Sequence, residues 1–333
     1  MSPTAITRLA LIGCLAVAPL RASQIQPPAY THVGELPDRV DGQPFRTFIF
    51  DRTAHRLYLG SDRGLFFSDL GDADLHVTGP LVRKDITRID VAPDLGRVFY
   101  TTAEEVGYVD VAGNGAPVVL ARDLLPLDMV YESTRQEVYV ATRAPVVRVF
   151  DAKSGEEGSA IRIPGWWALE LEAIPGRVFM SLGGQDGLYA IDAATHVAAA
   201  FPVKGRVITP ATIEADPDGR YLFLAFYREI VAIDVASAAV VGHMVTPTVP
   251  RIAYDPGTDV LIATWDDDPP PTRVVALAVE GGELRELGRY RNPAIGRTGV
   301  EPTSFGFIQA GVRKLLVWRA PGASSGSHGT ARR

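Results

Sequence analysis

The chain repeats itself about every 40 residues, and this period leaves few folds open to it. The cleanest copy runs from Thr212 to Val245, TIEADPDGRYLFLAFYREIVAIDVASAAVVGHMV. It reads as four short strands, TIEA, RYLFLAF, EIVAID and AVVGHMV, with Asp-Pro-Asp-Gly turning the first into the second. Two ladders carry the repeat along the chain. An acid closes the third strand of each unit at Asp69, Asp110, Asp151, Asp192, Asp234 and Glu280, in steps of 41, 41, 41, 42 and 46 residues. The second strand begins at Arg56, Arg97, Glu137, Arg177, Arg220, Asp259 and Lys314. Four strands per unit at this period are the pattern of a β-propeller, and the count predicts an all-β, seven-bladed ring.

The turns agree with the ladders. Pro-Asp-Leu-Gly, Ile-Pro-Gly, Pro-Asp-Gly and Asp-Pro-Gly fall between first and second strands, where a tight reversal needs preset φ and a glycine. The acids that close third strands are placed to accept N–H groups of the following turn, a capping role rather than a catalytic row. The expected blades are Phe45 to Thr78, Asp85 to Leu120, Pro126 to Ile163, Trp167 to Val203, Pro210 to Thr246 and Val249 to Tyr290. A seventh begins with SFGFIQ (Ser304 to Gln309) and KLLVWR (Lys314 to Arg319), read as its first and second strands. It lacks outer strands, while one strand, Tyr30 to Leu36, stands unused near the N-terminus. Pairing the two would close the ring and remove two open edges. The propeller so read spans residues 24–320, and a Gly/Ser tail without strand signal follows at 321–333.

Residues 1–23 have the parts of an export signal. Arg8 supplies the positive flank, Leu9 to Leu20 the apolar run, and Ala22 and Ser23 the small residues of a cleavage point. Twelve apolar residues are too few to span a bilayer. Leu11-Ile12-Gly13-Cys14 also has the form of a lipobox, which would anchor the chain through Cys14. The expected location is periplasmic or secreted. Cys14 is the single cysteine, so a processed chain has neither disulfides nor thiol chemistry. The net charge of −6 argues against nucleic acid or an anionic membrane as a general partner.

Propeller geometry makes position readable. Turns joining first to second and third to fourth strands share one face; second-to-third turns and blade-to-blade connections share the other, at the mouth of the central channel. All four tryptophans, Trp166, Trp167, Trp265 and Trp318, are expected at this mouth, with Arg143, Arg228 and Arg251 among its cations. Rigid aromatics beside arginines are the makings of a recognition surface. Asp266, Asp267 and Asp268 stand together before a triple proline and are weak candidates for a hard cation. The histidines fall away from the mouth, and no nucleophile elbow, metal-protease motif or phosphate loop is present.

Asp216-Pro217-Asp218-Gly219-Arg220 through Ile233-Asp234, echoed by Ile191-Asp192-Ala193-Ala194-Thr195 and Phe150-Asp151-Ala152-Lys153-Ser154, resembles the repeat of the bacterial YVTN/YncE-type seven-bladed propellers. The resemblance covers nearly all of the mature chain. It implies an exported binding protein, one type of which binds single-stranded DNA. Other relatives are subunits of periplasmic dehydrogenases, lactonases and a streptogramin lyase. The literal Tyr-Val-Thr-Asn is absent, with Glu137 to Thr142 its nearest echo, and the lyase-type His and Glu pair has no match at the mouth.

The combined expectation is an exported, monomeric binding or scaffold module that needs no cofactor. Trp166, Trp167, Arg228, Arg251, Trp265 and Arg143 would meet a protein or glycan partner, with single-stranded nucleic acid disfavoured by charge. The rival readings are a lactonase-like or metal-assisted hydrolase using Asp266 to Asp268 or Glu301, and a noncatalytic subunit of a periplasmic dehydrogenase.

Overall fold

The computed structural model describes residues 31–319 except 38, 52, 71–74, 112–114, 184–186, 205–209, 211, 256–257, 266–272, 281–282, 292–299, 304–305 and 311–313. Strands before residue 36 and after residue 288 are described by backbone alone. The expected export signal with Cys14, the C-terminal tail and the Asp266–Asp268 cluster lie outside the described residues.

Seven antiparallel sheets of four strands follow one another along the chain, each ordered from the innermost strand outward. Blade 1 comprises Thr47–Asp51, Arg56–Ser61, Gly64–Asp69 and Thr78–Val82; blade 2 comprises Arg88–Ala92, Arg97–Thr101, Val106–Asp110 and Val118–Ala121. Blade 3 is Pro126–Glu132, Glu137–Thr142, Val146–Asp151 and Glu157–Arg162, and blade 4 is Trp167–Ile174, Arg177–Gly183, Leu188–Asp192 and Val197–Ala200. Blade 5 is Thr212–Ala215, Tyr221–Phe226, Glu229–Asp234 and Ala239–Val245, and blade 6 is Arg251–Asp255, Val260–Trp265, Arg273–Glu280 and Glu283–Arg291. The protein is a seven-bladed β-propeller.

The strands form where the sequence is apolar on both sides. Val138, Tyr139, Val140 and Ala141 are consecutive and all fully buried, as are Leu57, Tyr58 and Leu59. A second strand is covered by a neighbouring blade on each face, so its sequence runs apolar without alternating, as in any sheet packed on both sides. The core is accordingly a ring of seams. One seam joins Tyr139, Val147 and Ile161 of blade 3 to Leu171, Val178 and Met180 of blade 4. Others join blades 1 and 2, 2 and 3, 4 and 5, and 5 and 6 in the same way.

The turn chemistry follows the backbone. The residue closing the first turn is left-handed in six blades: His55, Gly96, Gln136, Gly176, Gly219 and Asp259. Glycine adopts this conformation freely; His and Asp are among the other side chains that tolerate it best. The acids that end third strands behave as caps. Asp151 Oδ1 accepts the N–H groups of Lys153 (2.9 Å) and Ser154 (2.6 Å), and Asp192 Oδ1 those of Ala194 (3.1 Å) and Thr195 (2.9 Å). In blades 1 and 2 the same position instead holds the arginine that opens the second strand, Arg56 on Asp69 (2.6 Å) and Arg97 on Asp110 (2.8 Å).

Blade 7 corrects the strand count. Its strands are Val300–Thr303, Gly306–Ala310, Lys314–Arg319 and Thr31–Pro37. Lys314–Arg319 is therefore the third strand, not the second, and the blade has four. The first strand was hidden because VEPT carries a proline and one aliphatic residue, a composition that only an edge strand tolerates. Trp318, expected at the mouth, consequently lies near the end of a third strand, on the opposite face. The expected closure does occur: Thr31 pairs with Arg319 and Pro37 with Lys314. An Asp41-Gly42 hairpin with both residues left-handed then leads into blade 1.

Leu36 joins this closing strand to Phe50, Leu57 and Leu59 of blade 1 and is 1% exposed. Leu36→Ala should destabilise the protein by about 2–4 kcal/mol through lost burial and a cavity, and Leu36→Met by less than about 1.5 kcal/mol. Denaturant unfolding of the two variants beside the wild type measures both.

Candidate functional site

The mouth face gathers the start of each innermost strand, the second-to-third turns and the blade-to-blade connections. Nine large apolar side chains are exposed among the described residues, and six of them lie here: Leu125, Trp166, Leu169, Tyr227, Val245 and Val249. All six belong to blades 3 to 6 and their connections. The other three, Val118, Val197 and Val240, sit near the starts of outer strands on the opposite side.

Trp166 and Trp167 form one platform, with ring centroids 5.6 Å apart and planes inclined by 50°. Trp167 opens the innermost strand of blade 4 opposite Gly183, and a Cβ at Gly183 would lie 2.5 Å from Trp167 Nε1. Glycine thus lets the indole settle against the neighbouring backbone. Trp166 N donates to Gly183 O at 3.0 Å, and the residue is 64% exposed. A bulge between Ala168 and Glu170 then turns Leu169 outward.

Two exposed bulky residues of this face are held in left-handed backbone, Leu125 at φ 49° and Tyr227 at φ 39°. A bulky side chain in this region costs roughly 1–2 kcal/mol relative to a relaxed one. Tyr227 is 75% exposed, so burial offsets little of the cost. The expectation is that Tyr227→Gly and Leu125→Gly leave the melting temperature unchanged or raise it, whereas alanine at either position lowers it relative to glycine. Differential scanning calorimetry of the four variants checks this.

At blade 1, Arg63 and Arg83 are exposed and have no carboxylate partner among the described residues, while other cations there are paired. On blades 1 and 2, Arg46 pairs with Asp85 (3.0 Å) and Asp62 (3.7 Å), and Lys84 with Glu105. On blades 3 to 6, Arg143, Arg228 and Arg251 are exposed, and none has a carboxylate partner among the described residues. The Arg143 N–H donates to Leu125 O at 3.2 Å, and Arg228 Nε donates to Thr246 O at 3.4 Å. Of the six expected contact residues, the structure brings Trp166, Trp167, Arg143, Arg228 and Arg251 to this half of the mouth. Trp265 is a correction: it is 7% exposed and packs in the seam between blades 5 and 6. It ends a second strand, and second strands are covered on both faces.

The innermost strands carry a feature that the sequence reading missed. Carboxylates at alternate positions reach from one blade to the next and accept main-chain N–H groups of the following innermost strand. Asp90 Oδ2 accepts from Tyr131 N (2.5 Å), Asp128 Oδ2 from Leu171 N (2.7 Å), Glu172 Oε1 from Ala215 N (3.2 Å) and Glu214 Oε2 from Tyr254 N (3.4 Å). The separations, 41, 43, 43 and 40 residues, are one blade each. Innermost strands have a free edge toward the channel, and these acids satisfy part of it. Burial pushes Asp90 and Glu170 up to about 7 and Glu214 up to about 8. Glu172 is raised well above the ordinary range by burial and by the Glu214, Asp90 and Asp128 charges. Asp128 is raised by burial against the pull of Arg88, whose Nε donates to it at 3.2 Å. The signal was an acid inside otherwise apolar first strands, as in IDV, LELEA and TIEA.

On the opposite face, His196 braces blades 3 and 4: its Nδ1 lies 2.9 Å from Ser159 Oγ and its Nε2 3.0 Å from Glu137 Oε2. Glu137 Oε2 also accepts the Tyr139 O–H at 2.7 Å. A cleft of about 950 Å³ opens between blades 4 and 5 on that side, where Asp192 and Asp234 are already engaged as turn caps. No three His, Cys, Asp or Glu side chains converge for a metal ion among the described residues.

Capping hydrogen bonds hold Asp151, Asp192 and Asp234 below the usual carboxylate range. Their contribution is present above the unfolded value near 4 and is lost as pH falls through the lower folded values. The melting temperature should therefore drop below about pH 4, and drop less in the Asp151→Asn/Asp192→Asn/Asp234→Asn variant. Thermal melts between pH 2 and 5 read the difference.

No family model matches the sequence, and no curated protein does. Solved structures do. U3-55K aligns over 87% of this chain and 98% of its own, with a TM-score of 0.70 at 8% identity. A chain of the mitotic checkpoint complex aligns over 95% and 98%, with a TM-score of 0.65 at 11% identity. Hydrazine synthase of Kuenenia stuttgartiensis aligns over 66% and 72%, with a TM-score of 0.55 at 17% identity. The likeness to U3-55K and the checkpoint chain is that of WD40-like propellers, and identities this low speak for the fold alone.

Proposed function

We propose that this protein is an interaction scaffold that docks a protein partner across the mouth of blades 3 to 6. The observation that carries the reading is the distribution of exposed large apolar side chains, six of the nine among the described residues lying on this part of the mouth. An aromatic platform at Trp166 and Trp167 adds to it, as do two bulky residues held in costly backbone. Rigid aromatics provide contact area at little entropic cost, and arginines beside them supply directional hydrogen bonds. The neighbouring Arg143, Arg228 and Arg251 favour a partner surface bearing carboxylates around an apolar anchor. One of the structurally similar chains belongs to a complex, the mitotic checkpoint complex, which fits a scaffold role for the fold. The export signal at residues 1–23 and the YVTN/YncE-type repeat complete the proposal, placing the scaffold in the periplasm or outside the cell.

A photo-crosslinking amino acid at position 166 or 227 should trap a defined partner in the native host, and one at position 197 on the other side should not. Against that partner, Trp166→Ala or Tyr227→Ala should weaken binding by about 30-fold, with Val197→Ala neutral. Equal trapping at 166 and 197, or unchanged affinity in both mouth variants, would remove the mouth as the docking face.

A further inference from the structure

The carboxyl groups of the innermost strands are more than supports for the free edge. Asp90, Asp128, Glu172 and Glu214 each tie one blade to the next, and Glu170 stands among them with no hydrogen-bond donor among the described residues. The innermost strands of these four successive blades hold a sixth acid, Glu132, which accepts the N–H groups of Thr134, Arg135 and Gly176 at the turn, and a single described cation, Arg88 of blade 2, which binds Asp128. Blade 6 presents Arg251 at the mouth end of its innermost strand, and blade 1 presents Thr47 and Ile49, with Asp51 engaged by Ala54 N at the turn. Blade 7 carries Glu301 on its innermost strand, described by backbone alone.

We propose that these acids work as a pH-sensitive clasp around the channel, which tightens the ring in mildly acidic medium and loosens it in alkaline medium. A protonated carboxyl keeps its carbonyl for the N–H of the next blade and carries no charge to set against its neighbours. Full ionisation leaves the N–H bonds but sets like charges against one another with one arginine to balance them. The raised values of Asp90, Glu170, Glu172 and Glu214 agree with this arrangement. The sign follows. Folded protein holds protons that the unfolded chain has already lost above about pH 4, so stability is greatest at mildly acidic pH and is lost as pH rises through the folded values near 7 and 8.

The test uses the full chain in a His196→Asn/His243→Asn background, which removes from the comparison two imidazoles paired with carboxylates among the described residues. Melting temperature is followed from pH 5.5 to 9, alone and with Glu172→Gln/Glu214→Gln added. Glutamine keeps the carbonyl acceptor and cannot ionise. The parent should lose several degrees across this range. The glutamine variant should lose less and should melt higher than the parent at pH 9. A flat parent curve, or a glutamine variant that keeps the full slope, would overturn the clasp. Should the glutamine variant not fold, calorimetric unfolding of the parent at pH 7 in two buffers of different ionisation enthalpy decides alone. Release of about one proton or more on unfolding supports the proposal, and no release overturns it.

Discussion

A four-stranded sheet that is apolar on both faces needs a neighbour on each side. That single requirement organises this protein. It makes the second strands continuous hydrophobic runs, sets the core as a series of seams between blades, and forces the series to close on itself. Closure is made by Thr31–Pro37 pairing beside Lys314–Arg319, with Leu36 reaching into blade 1. Each seam buries several large side chains, and each such side chain contributes about 1.5–3 kcal/mol. The ring therefore has no dispensable blade.

The architecture was legible because its signals are local. The acid that ends each third strand also caps the next turn, so Asp151, Asp192 and Asp234 marked blades in the sequence for the same reason that they stabilise them. The left-handed turn position accounts for His55 and Gly219 alike. What escaped was tertiary. Trp265 looked like a mouth residue because it precedes a loop, yet its ring turns into a seam. Val300–Thr303 did not look like a strand, because an innermost edge asks little of its sequence. The acids at Asp90, Asp128, Glu172 and Glu214 gave no signal of partnership, since each partner is a main-chain N–H one whole blade away.

The two faces divide the labour. The opposite face is built of satisfied polar contacts: turn caps, the Ser159–His196–Glu137 brace, and arginines stacked on rings, such as Arg97 over Tyr108 at 4.0 Å. The mouth of blades 3 to 6 is the reverse. It holds exposed aromatics, left-handed bulky residues and arginines without described carboxylate partners. Proteins concentrate such locally unfavourable features where a second molecule can compensate for them. The innermost strand Trp167–Ile174 connects the two regimes, with the aromatic platform at one end and Glu172 further along.

The closing strand has a consequence in time as well as in space. Among the described strands Thr31–Pro37 is synthesised first and its pairing partner, Lys314–Arg319, last. Six blades can form in order as the chain lengthens, each resting on the one before. Thr31–Pro37 must wait for the sheet of blade 7, and until then the growing protein is an open arc with this strand unpaired at one end and an uncovered blade at the other. Pairing across almost the whole chain gives this contact the longest loop to close of any between the described strands. A protein assembled this way has its greatest risk of pairing with the wrong molecule in the interval just before the ring shuts.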